Sequence, residues 1–390
     1  MTTPRSGPLS GIRIVEIAGL GAAPYGCMML ADMGAEVVLV ERLDGRSDLM
    51  GRNSPLLRNR RSIALDLKKP EGIETVLALV ERADALVEAF RPGVAERLGI
   101  GPDICIALNP RLVYARMTGW GQSGPLAQSA GHDLNYIGLT GLLHQIGPTD
   151  GKPVVPLNVI GDFGGGGLLM AFGVVCAVLE AQRSGKGQVV DAAMVDGALS
   201  FMAMFFGYRA NGQFDDRTGS HLLGGGAHYY DVYTTADGKH LAVAPIEPQF
   251  YRAFLQKLGL DNERFHSTGH PDQSEPIRLR DWPARKAELQ TLFNTRTCSD
   301  WLALFEGSDA CVTPVLTLAE AANHPHNQAR EAFIDVGGVS QQAPAPRFSR
   351  TAPGKPSPPP SLGADLDAIA EAWGLDRRLV ERARAMAAVR

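Results

Sequence analysis

Residues 9–123 alternate strand and helix patterns, and this alternation constrains the fold more than any other feature of the chain. The apolar residues 12–17 predict a strand, and a helix pattern follows from Pro24 to Met33, before Gly34. Proline suits the first turn of a helix. Residues 36–40 predict the next strand. Strands that alternate with helices form parallel βαβ units, so we predict an α/β fold with a doubly wound, Rossmann-like sheet.

The pattern continues and then changes after Phe205. A helix is predicted at 69–82, and strands are predicted at 85–90, 111–117 and 188–192. A polar, glycine-rich stretch at 211–227 is typical of a linker. The hairpin signal and helix patterns that follow favour a smaller α+β domain. We therefore expect a large domain at 1–205, completed by about 325–390, a linker at 206–228 and a small domain at 229–324. Further expected elements are a hairpin with strands at 230–234 and 240–244, helices at 248–258 and 285–293, an extended connector at 338–362 and a helical tail at 365–388.

Composition excludes several classes of function. A chain of 390 residues favours two domains, and a net charge of −4 with 21% charged residues does not favour nucleic acid or an anionic membrane as partner. Residues 1–11 contain no apolar segment typical of a secretory signal. The longest apolar run, 168–179, is too short to cross a bilayer. Five scattered cysteines predict reduced thiols, no metal site and a cytoplasmic location.

The turn after the first predicted strand has two interpretations. Gly19 and Gly21 follow that strand and Glu41 ends the second, which is weakly typical of a dinucleotide site. However, Pro24 stands where that motif has its third glycine, and Arg42 follows the acid directly. A tight strand-to-helix turn is the better interpretation.

Several cations follow predicted strands and favour a different ligand. Arg42 and Arg91 come just after strands, where open α/β sheets bind ligands. The alternatives are a solvated basic face and a site for a small polyanion such as a phosphate ester. The other cations of this group are Arg52, Arg58, Arg60, Arg61, Lys68 and Arg97.

Two segments carry candidate acid/base groups. His132 begins a helix-like segment that continues through 137–146, which would put His132 and Tyr136 on one helix face. Asp162 precedes a glycine run and a second helix pattern, whose unpaired N–H groups would stabilise a developing negative charge. An imidazole, a carboxylate and such donors can remove and return a proton beside a carbonyl. Taken singly, His132 could be structural, Asp162 an N-cap, and Glu247 an acid at a helix start.

These residues lie in motifs that extend over nearly the whole chain and are similar to those of a known family. The chain resembles the α-methylacyl-CoA racemases, within the fold group of the family III CoA-transferases. The matching motifs lie at 8–11, 14–16, 30–35, 61–62, 65–68, 91–93, 115–122, 131–136, 161–163, 190–194 and 246–251.

The resemblance implies roles for individual residues. His132 and Asp162 would be the two acid/base groups on opposite faces of the substrate α-carbon. Glu247, supplied by a partner subunit, would pair with His132 in an interlocked homodimer. No cofactor is implied, because coenzyme A is part of the substrate. The implied coenzyme A site consists of Arg42, Leu65, Asp66, Leu67, Lys68, Ala89, Phe90, Arg91, Arg97, Gly131, Asp133, Leu134, Asn135 and Tyr136.

The implied reaction interconverts (R)- and (S)-2-methylacyl-CoA thioesters by proton transfer through an enolate. Asp162 would need burial to raise its pKa for this role. The main alternative is a CoA-transferase in which Asp162 attacks the acyl group, and a remote one is a non-catalytic CoA-binding protein. His132 favours the racemase, because the transferases that resemble this chain usually carry another residue there. Apolar residues that could form either an acyl-binding surface or plain core are Met194, Met202, Met204, Phe205 and Phe206.

Overall fold

The computed structural model of the protein describes residues 6–45, 51, 53–260, 265 and 275–388. Arg52 lies outside these ranges. The chain forms two compact units: Met1–Thr140, Leu157–Met202 and Gln328–Arg390 make the first, and Gly141–Pro156 with Ala203–Asn327 make the second. The predicted linker, 206–228, belongs to the second unit, and residues 141–156 join it there.

The first unit is built on a six-stranded sheet in which all the strands are parallel. The strand order is β3-β2-β1-β4-β5-β6. This order reverses between β1 and β4, and ligands of such sheets bind at the carboxyl ends of the strands near that point. The predicted doubly wound sheet is confirmed. The strands are β1 Arg13–Ile17, β2 Glu36–Glu41, β3 Arg60–Ala64, β4 Ala85–Glu88, β5 Val113–Thr118 and β6 Val189–Ala193.

Apolar side chains cover both faces of this sheet. Val15 and Val38 belong to one buried cluster, while their neighbours Ile14 and Val37 belong to another. Successive residues of a strand point to opposite faces, so helices pack on both sides. With numbers that run along the whole chain, the helices of this unit are α1 Ala22–Asp32, α2 Pro70–Val80, α3 Val94–Leu98, α4 Pro102–Leu108, α5 Asp133–Gly138, α7 Leu169–Ser184, α8 Met194–Ser200, α15 Leu366–Trp373 and α16 Arg377–Ala388.

Several predicted elements were wrong in extent. The helix predicted at 137–146 is interrupted, because α5 ends at Gly138 and Gly141 has a φ of 79° before a new short helix. The C-terminal tail forms two helices separated at Gly374, whose φ is 68°. The connector predicted at 338–362 begins with a strand, since β10 (Phe333–Val336) and β11 (Val339–Gln342) form an antiparallel hairpin.

The glycine run at 164–167 allows close packing of backbones. Residues Val159–Leu168 form a π-helical segment that continues into α7. A Cβ at Gly167 would lie 2.9 Å from the backbone nitrogen of Gly26 in α1, and one at Gly165 would lie 2.6 Å from that of Ala198 in α8. A side chain at either position would therefore displace a neighbouring helix.

This combined helix is longer than the apolar run suggested. Val159–Ser184 spans 26 residues, with a mean hydropathy of 1.8 over its most apolar window, of which 44% is buried within the chain. By length and composition alone it could cross a membrane. A single such helix is weak evidence, because core helices of soluble proteins have the same properties.

The second unit contains a three-stranded antiparallel sheet and an aromatic core. β7 (Asp231–Thr234), β8 (His240–Val243) and β9 (Val312–Pro314) pair in sequence order, which confirms the predicted hairpin. The core includes Tyr233, Phe254, Phe293 and Trp301. The remaining helices are α6 Leu142–Gln145, α9 Ala203–Ala210, α10 Pro248–Leu258, α11 Glu275–Phe293, α12 Cys298–Phe305, α13 Leu318–Asn323 and α14 Pro325–Ala329.

Candidate active site

Two cavities lie along the carboxyl edge of the sheet in the first unit. One, here called the His132 cavity, has a volume of about 490 Å³, and the other, the Arg42 cavity, has about 480 Å³. Phe90 lines both. The His132 cavity is lined by residues 19–21, 89–92, 117–120, 127, 129–132, 136, 162 and 194, and the Arg42 cavity is lined by residues 17–18, 40–44, 65–68, 90, 94 and 98.

His132 is the residue that precedes α5. Its backbone is extended, with φ −133° and ψ 172°, and its N–H donates to Asn135 Oδ1 at 3.0 Å. His132 therefore lies outside the helix, so the prediction that it shares a helix face with Tyr136 was wrong. The imidazole is nevertheless on an exposed residue that lines the same cavity as Tyr136.

Tyr136 forms a buried wall of the His132 cavity. It is 7% exposed, its hydroxyl donates to the carbonyl of Gly131, and its ring packs edge-on against Trp120 at 4.7 Å. Burial raises the pKa of Tyr136 above its usual value. A Cβ at Gly131 would lie 2.8 Å from the tyrosine ring, so glycine is needed there. Tyr136 and Trp120 thus give the cavity a fixed aromatic side.

Asp162 lies in the first turn of the π-helical segment, not ahead of a helix as the sequence predicts. It is half-buried, and its Oδ2 accepts a hydrogen bond from Asn158 Nδ2 at 2.9 Å. Gly21 has a φ of 63°, and a Cβ there would lie 3.1 Å from Asp162 Oδ2. The glycine turn after β1 therefore lets backbone approach this carboxylate. Single π-helical turns occur frequently at functional sites.

The donors predicted beside Asp162 are occupied. Asp133 Oδ2 accepts hydrogen bonds from the backbone nitrogens of Gly161 at 2.5 Å and Asp162 at 3.1 Å. Asp133 is 4% exposed, and burial raises its pKa, although these two N–H groups oppose the rise. The N–H groups of Gly161 and Asp162 are thus not free for a substrate oxygen, and these two are not the donors that the sequence analysis expects near Asp162.

The Arg42 cavity carries two cationic side chains suited to phosphate. Arg42 is exposed and its guanidinium donates to both carboxylate oxygens of Asp44, at 3.2 and 3.1 Å. Lys68 is also exposed and lines this cavity. Leu65 is buried beneath them. A polyanion entering here would meet two cations above an apolar floor.

Other cations of the predicted cluster have internal partners. Arg58 is 1% exposed and pairs with Asp32, and Arg60 is 3% exposed and pairs with Glu16 at 3.0 Å. Arg61 pairs with Glu36 at 3.0 Å. Arg58 and Arg60 therefore belong neither to a solvated basic face nor to a phosphate site. Their guanidinium groups are fully desolvated, and such groups need carboxylate partners fixed within the protein.

The two cavities bring together many of the residues that the resemblance implies, but not all. Ala89, Phe90, Arg91, Gly131, His132, Tyr136 and Asp162 line the His132 cavity, and Arg42, Leu65, Asp66, Leu67, Lys68 and Phe90 line the Arg42 cavity. The residues that line neither are Arg97, Asp133, Leu134, Asn135 and Glu247.

Glu247 belongs to the second unit, where it is exposed and directly precedes α10. Arg97 is exposed on α3, and Leu134 is 41% exposed on α5. Asn135 caps the start of α5 through its bond to His132. Among the described residues, no group of three or more His, Cys, Asp or Glu side chains could hold a metal ion.

Some residues of the site were missed from the sequence. Trp120 and Asn158 contact the site, and the position of Asn158 four residues before Asp162 is a signal that could have found it. Of the apolar candidates, Met194 lines the His132 cavity, whereas Met202 is buried. The other three, Met204, Phe205 and Phe206, lie in α9 of the second unit.

Comparison with known proteins identifies relatives along the whole chain. The sequence model of CoA-transferase family III matches residues 9–366. The α-methylacyl-CoA racemases of Mus musculus and Homo sapiens are 43% and 42% identical to the chain over 372 and 373 residues, which are 95% of this chain and 94% of each relative. The crystal structure of a CaiB/BaiF family protein from Brucella suis aligns with a TM-score of 0.80 at 27% identity, covering 95% of this chain and 100% of that one.

Proposed function

The chain belongs to CoA-transferase family III, and we propose that it is a racemase that interconverts (R)- and (S)-2-methylacyl-CoA thioesters. The observation that carries this proposal is that His132 and Asp162 line one cavity at the carboxyl edge of the sheet. Two mammalian α-methylacyl-CoA racemases match the chain over nearly their full lengths, which supports the same reaction.

The two cavities suit the two ends of such a substrate. The phosphates of coenzyme A would bind Arg42 and Lys68 in one cavity, and the acyl thioester would enter the other. Phe90 lines both cavities, so the linking arm would pass it. Met194 offers the branched acyl group an adaptable apolar contact.

The residue types suit proton transfer in both directions. Racemisation needs one group to remove the α-proton and another to return a proton to the opposite face. An imidazole such as that of His132 is the side chain that most often acts as a general acid or base. Asp162 is held by Asn158 and can accept or supply the second proton. The enolate oxygen must accept hydrogen bonds from donors other than the N–H groups of Gly161 and Asp162. Each such donor typically stabilises the transition state by roughly 3 kcal/mol.

The alternative is CoA transfer with Asp162 as the nucleophile. Its carboxylate faces the cavity and could attack a thioester carbonyl. That reaction gives no task to His132, which lies in the same cavity. We therefore favour the racemase.

We further propose that the active enzyme is a homodimer in which Glu247 serves the partner's active site. The π-helical segment and α7 carry an apolar stripe at helical spacing that the described residues leave exposed, with Phe172 65% and Leu179 53% exposed beside Leu168 and Val175. Apolar faces of this kind mark interaction surfaces. The five free cysteines support a cytoplasmic, reducing location, and the reaction as written needs no added cofactor.

The experiment follows the α-proton directly. The protein is incubated in deuterated buffer, without added metal or cofactor, with one epimer of a 2-methylacyl-CoA. We expect deuterium at the α-position and an epimer ratio that moves toward equality. CoA transfer to a free acid acceptor without α-exchange would instead support the transferase.

Single-residue variants separate the roles of the two bases. His132→Ala and Asp162→Ala should each lower racemisation by roughly 10²–10⁴-fold, the usual contribution of general acid–base catalysis. Each variant should retain exchange, with configuration kept, for the epimer that the surviving base serves. The exposed residues His326 and Asp103 provide matched controls, as His326→Ala and Asp103→Ala should keep full activity. Equal loss of exchange for both epimers in both variants would exclude the two-base assignment.

A further inference from the structure

We propose that the side chain of Asp133 is a positioning residue that fixes Asp162 relative to His132 and makes no contact with coenzyme A. This inference rests on the proposed racemase reaction and assigns a task to a residue that the resemblance places in the coenzyme A site. Asp133 is 4% exposed and lines neither cavity, so its carboxylate is turned into the protein.

The hydrogen bonds of Asp133 connect the two segments that carry the bases. Asp133 follows His132 directly and opens α5. Its Oδ2 accepts the backbone N–H groups of Gly161 and Asp162, at 2.5 and 3.1 Å, at the start of the π-helical segment. Charge-assisted bonds of this kind are about twice as strong as neutral ones. The Asp133 carboxylate therefore connects the backbone of Asp162, one of the two bases, to the residue that directly follows His132, the other base.

Asp133 performs the task that a helix cap performs elsewhere. The first N–H groups of a helix need acceptors from outside it. Asn158, the residue before the π-helical segment, makes no such bond with its side chain. Its amide donates to Asp162 Oδ2 instead. Asp133 therefore supplies the acceptor for these N–H groups from a distance, while Asn158 orients the catalytic carboxylate.

The same contact explains the glycine at position 161. A Cβ at Gly161 would overlap Asp133 Oδ2. Only glycine allows the carboxylate to approach the two N–H groups this closely. Among the described residues, the other oxygen, Asp133 Oδ1, is buried and has no hydrogen-bond partner.

This geometry predicts a graded series of variants in the full-length protein. In Asp133→Asn the amide oxygen can accept both N–H groups while the NH2 takes the place of Oδ1, so kcat should fall by less than about 10-fold. Asp133→Ala removes both bonds, and kcat should fall about 100-fold, the cost of misplacing a catalytic group by about 1 Å. KM for the CoA ester should stay within about twofold for both variants. A residue that contacts coenzyme A would show the reverse, a raised KM with kcat preserved.

Two further measurements distinguish positioning from general destabilisation. In Asp133→Ala, exchange of the α-proton that depends on Asp162 should fall with kcat. Exchange on the face served by His132 should stay within a few fold of the wild-type rate. Hydrogen–deuterium exchange of the backbone should accelerate in the peptide that covers 159–168. Asp376 supplies a matched control, because its Oδ1 also accepts two backbone N–H groups, of Arg378 and Leu379, at a helix start. Asp376→Asn should loosen α16 and leave kcat unchanged.

The outcomes separate this inference from the proposed function. Wild-type protein that exchanges no α-proton contradicts the racemase, and the backbone hydrogen exchange of 159–168 in Asp133→Ala still tests the contact. Active wild type with an unchanged kcat in Asp133→Ala, or with a raised KM alone, overturns the positioning role. Equal loss on both faces overturns it as well. If Asp133→Ala does not fold, Asp133→Ser carries the same kinetic and exchange tests, because its hydroxyl is one atom too short to reach both N–H groups.

Discussion

Removal of the Arg42 side chain should weaken coenzyme A binding measurably but not abolish it. Arg42 lines the cavity at the carboxyl ends of β1 and β2, and it is the first cation after β2. In the structure its guanidinium already bonds Asp44, and its side chain is 67% exposed. A phosphate of coenzyme A must therefore displace a carboxylate from a group that water still reaches.

These contacts set the size of the effect. A hydrogen bond to a charged group contributes about 1.5–3 kcal/mol. Breaking an exposed ion pair such as Arg42–Asp44 costs about 0.2–1 kcal/mol. The difference predicts a loss of about 0.5–2.8 kcal/mol for Arg42→Ala, which is about 2- to 100-fold in Kd. Asp44→Asn should act in the opposite direction, with binding up to about 5-fold tighter, because the competing carboxylate is neutralised.

Calorimetric titration of free coenzyme A measures both effects. The contribution of Arg42 should shrink as salt is added, since exposed charges are screened. Arg111→Ala is the control, because Arg111 is an exposed cation at the opposite edge of the sheet, before β5. The double variant that combines Arg42→Ala with Asp44→Asn should bind coenzyme A like Arg42→Ala alone. An unchanged Kd in Arg42→Ala refutes the assignment of Arg42 as a phosphate-binding residue. If Asp44→Asn tightens binding even when Arg42 is absent, then Asp44 repels the phosphate directly and does not act by competing for Arg42.

Two further predictions concern assembly and pH. If Glu247 serves the partner's active site, inactive His132→Ala and Glu247→Ala chains refolded together should regain activity through the one intact site per heterodimer; no recovery in a confirmed heterodimer would place both residues in one chain. Burial lowers the pKa of His228 to about 3, so the unfolded state binds a proton that the folded state rejects between about pH 6.5 and 3. Stability should therefore fall as the pH drops through this window, by about 1.4 kcal/mol per unit, and His228→Gln should flatten this slope in thermal unfolding while the exposed His326→Gln should not.

The regular elements were predictable where local signals agree. The helix predicted near 248–258 is α10, in which Pro248 occupies the first turn and Gly259 ends the helix in a left-handed conformation. Strand β3 was missed. Its charged residues, Arg60 among them, do not resemble a buried strand, and only the fold brings Glu16 of β1 to neutralise that side chain.

The candidate site was predictable in its residue types but not in its internal bonds. His132 and Asp162 stand 30 positions apart, and no spacing rule brings them together, so the resemblance to a family supplied their pairing. The N–H groups beside Asp162 were expected to face substrate, because a helix start normally leaves such donors free. Sequence could not show that Asp133, 28 residues earlier, takes the Gly161 donor.

The position of Asp133 shows why adjacent residues in a motif need not share a task. His132 exposes its side chain toward the cavity, while the next residue begins α5 and points into the protein. The change from extended to helical backbone turns consecutive side chains in different directions. The motif therefore looks like one binding surface in the sequence, but His132 serves the cavity and Asp133 serves the protein interior. Gly161 is equally necessary, because the absence of a side chain there allows the Asp133 carboxylate to reach the backbone N–H groups. The site therefore depends on a contact between two motifs that sequence reasoning treats as independent, and substituting either Asp133 or Gly161 should disturb the same catalytic carboxylate.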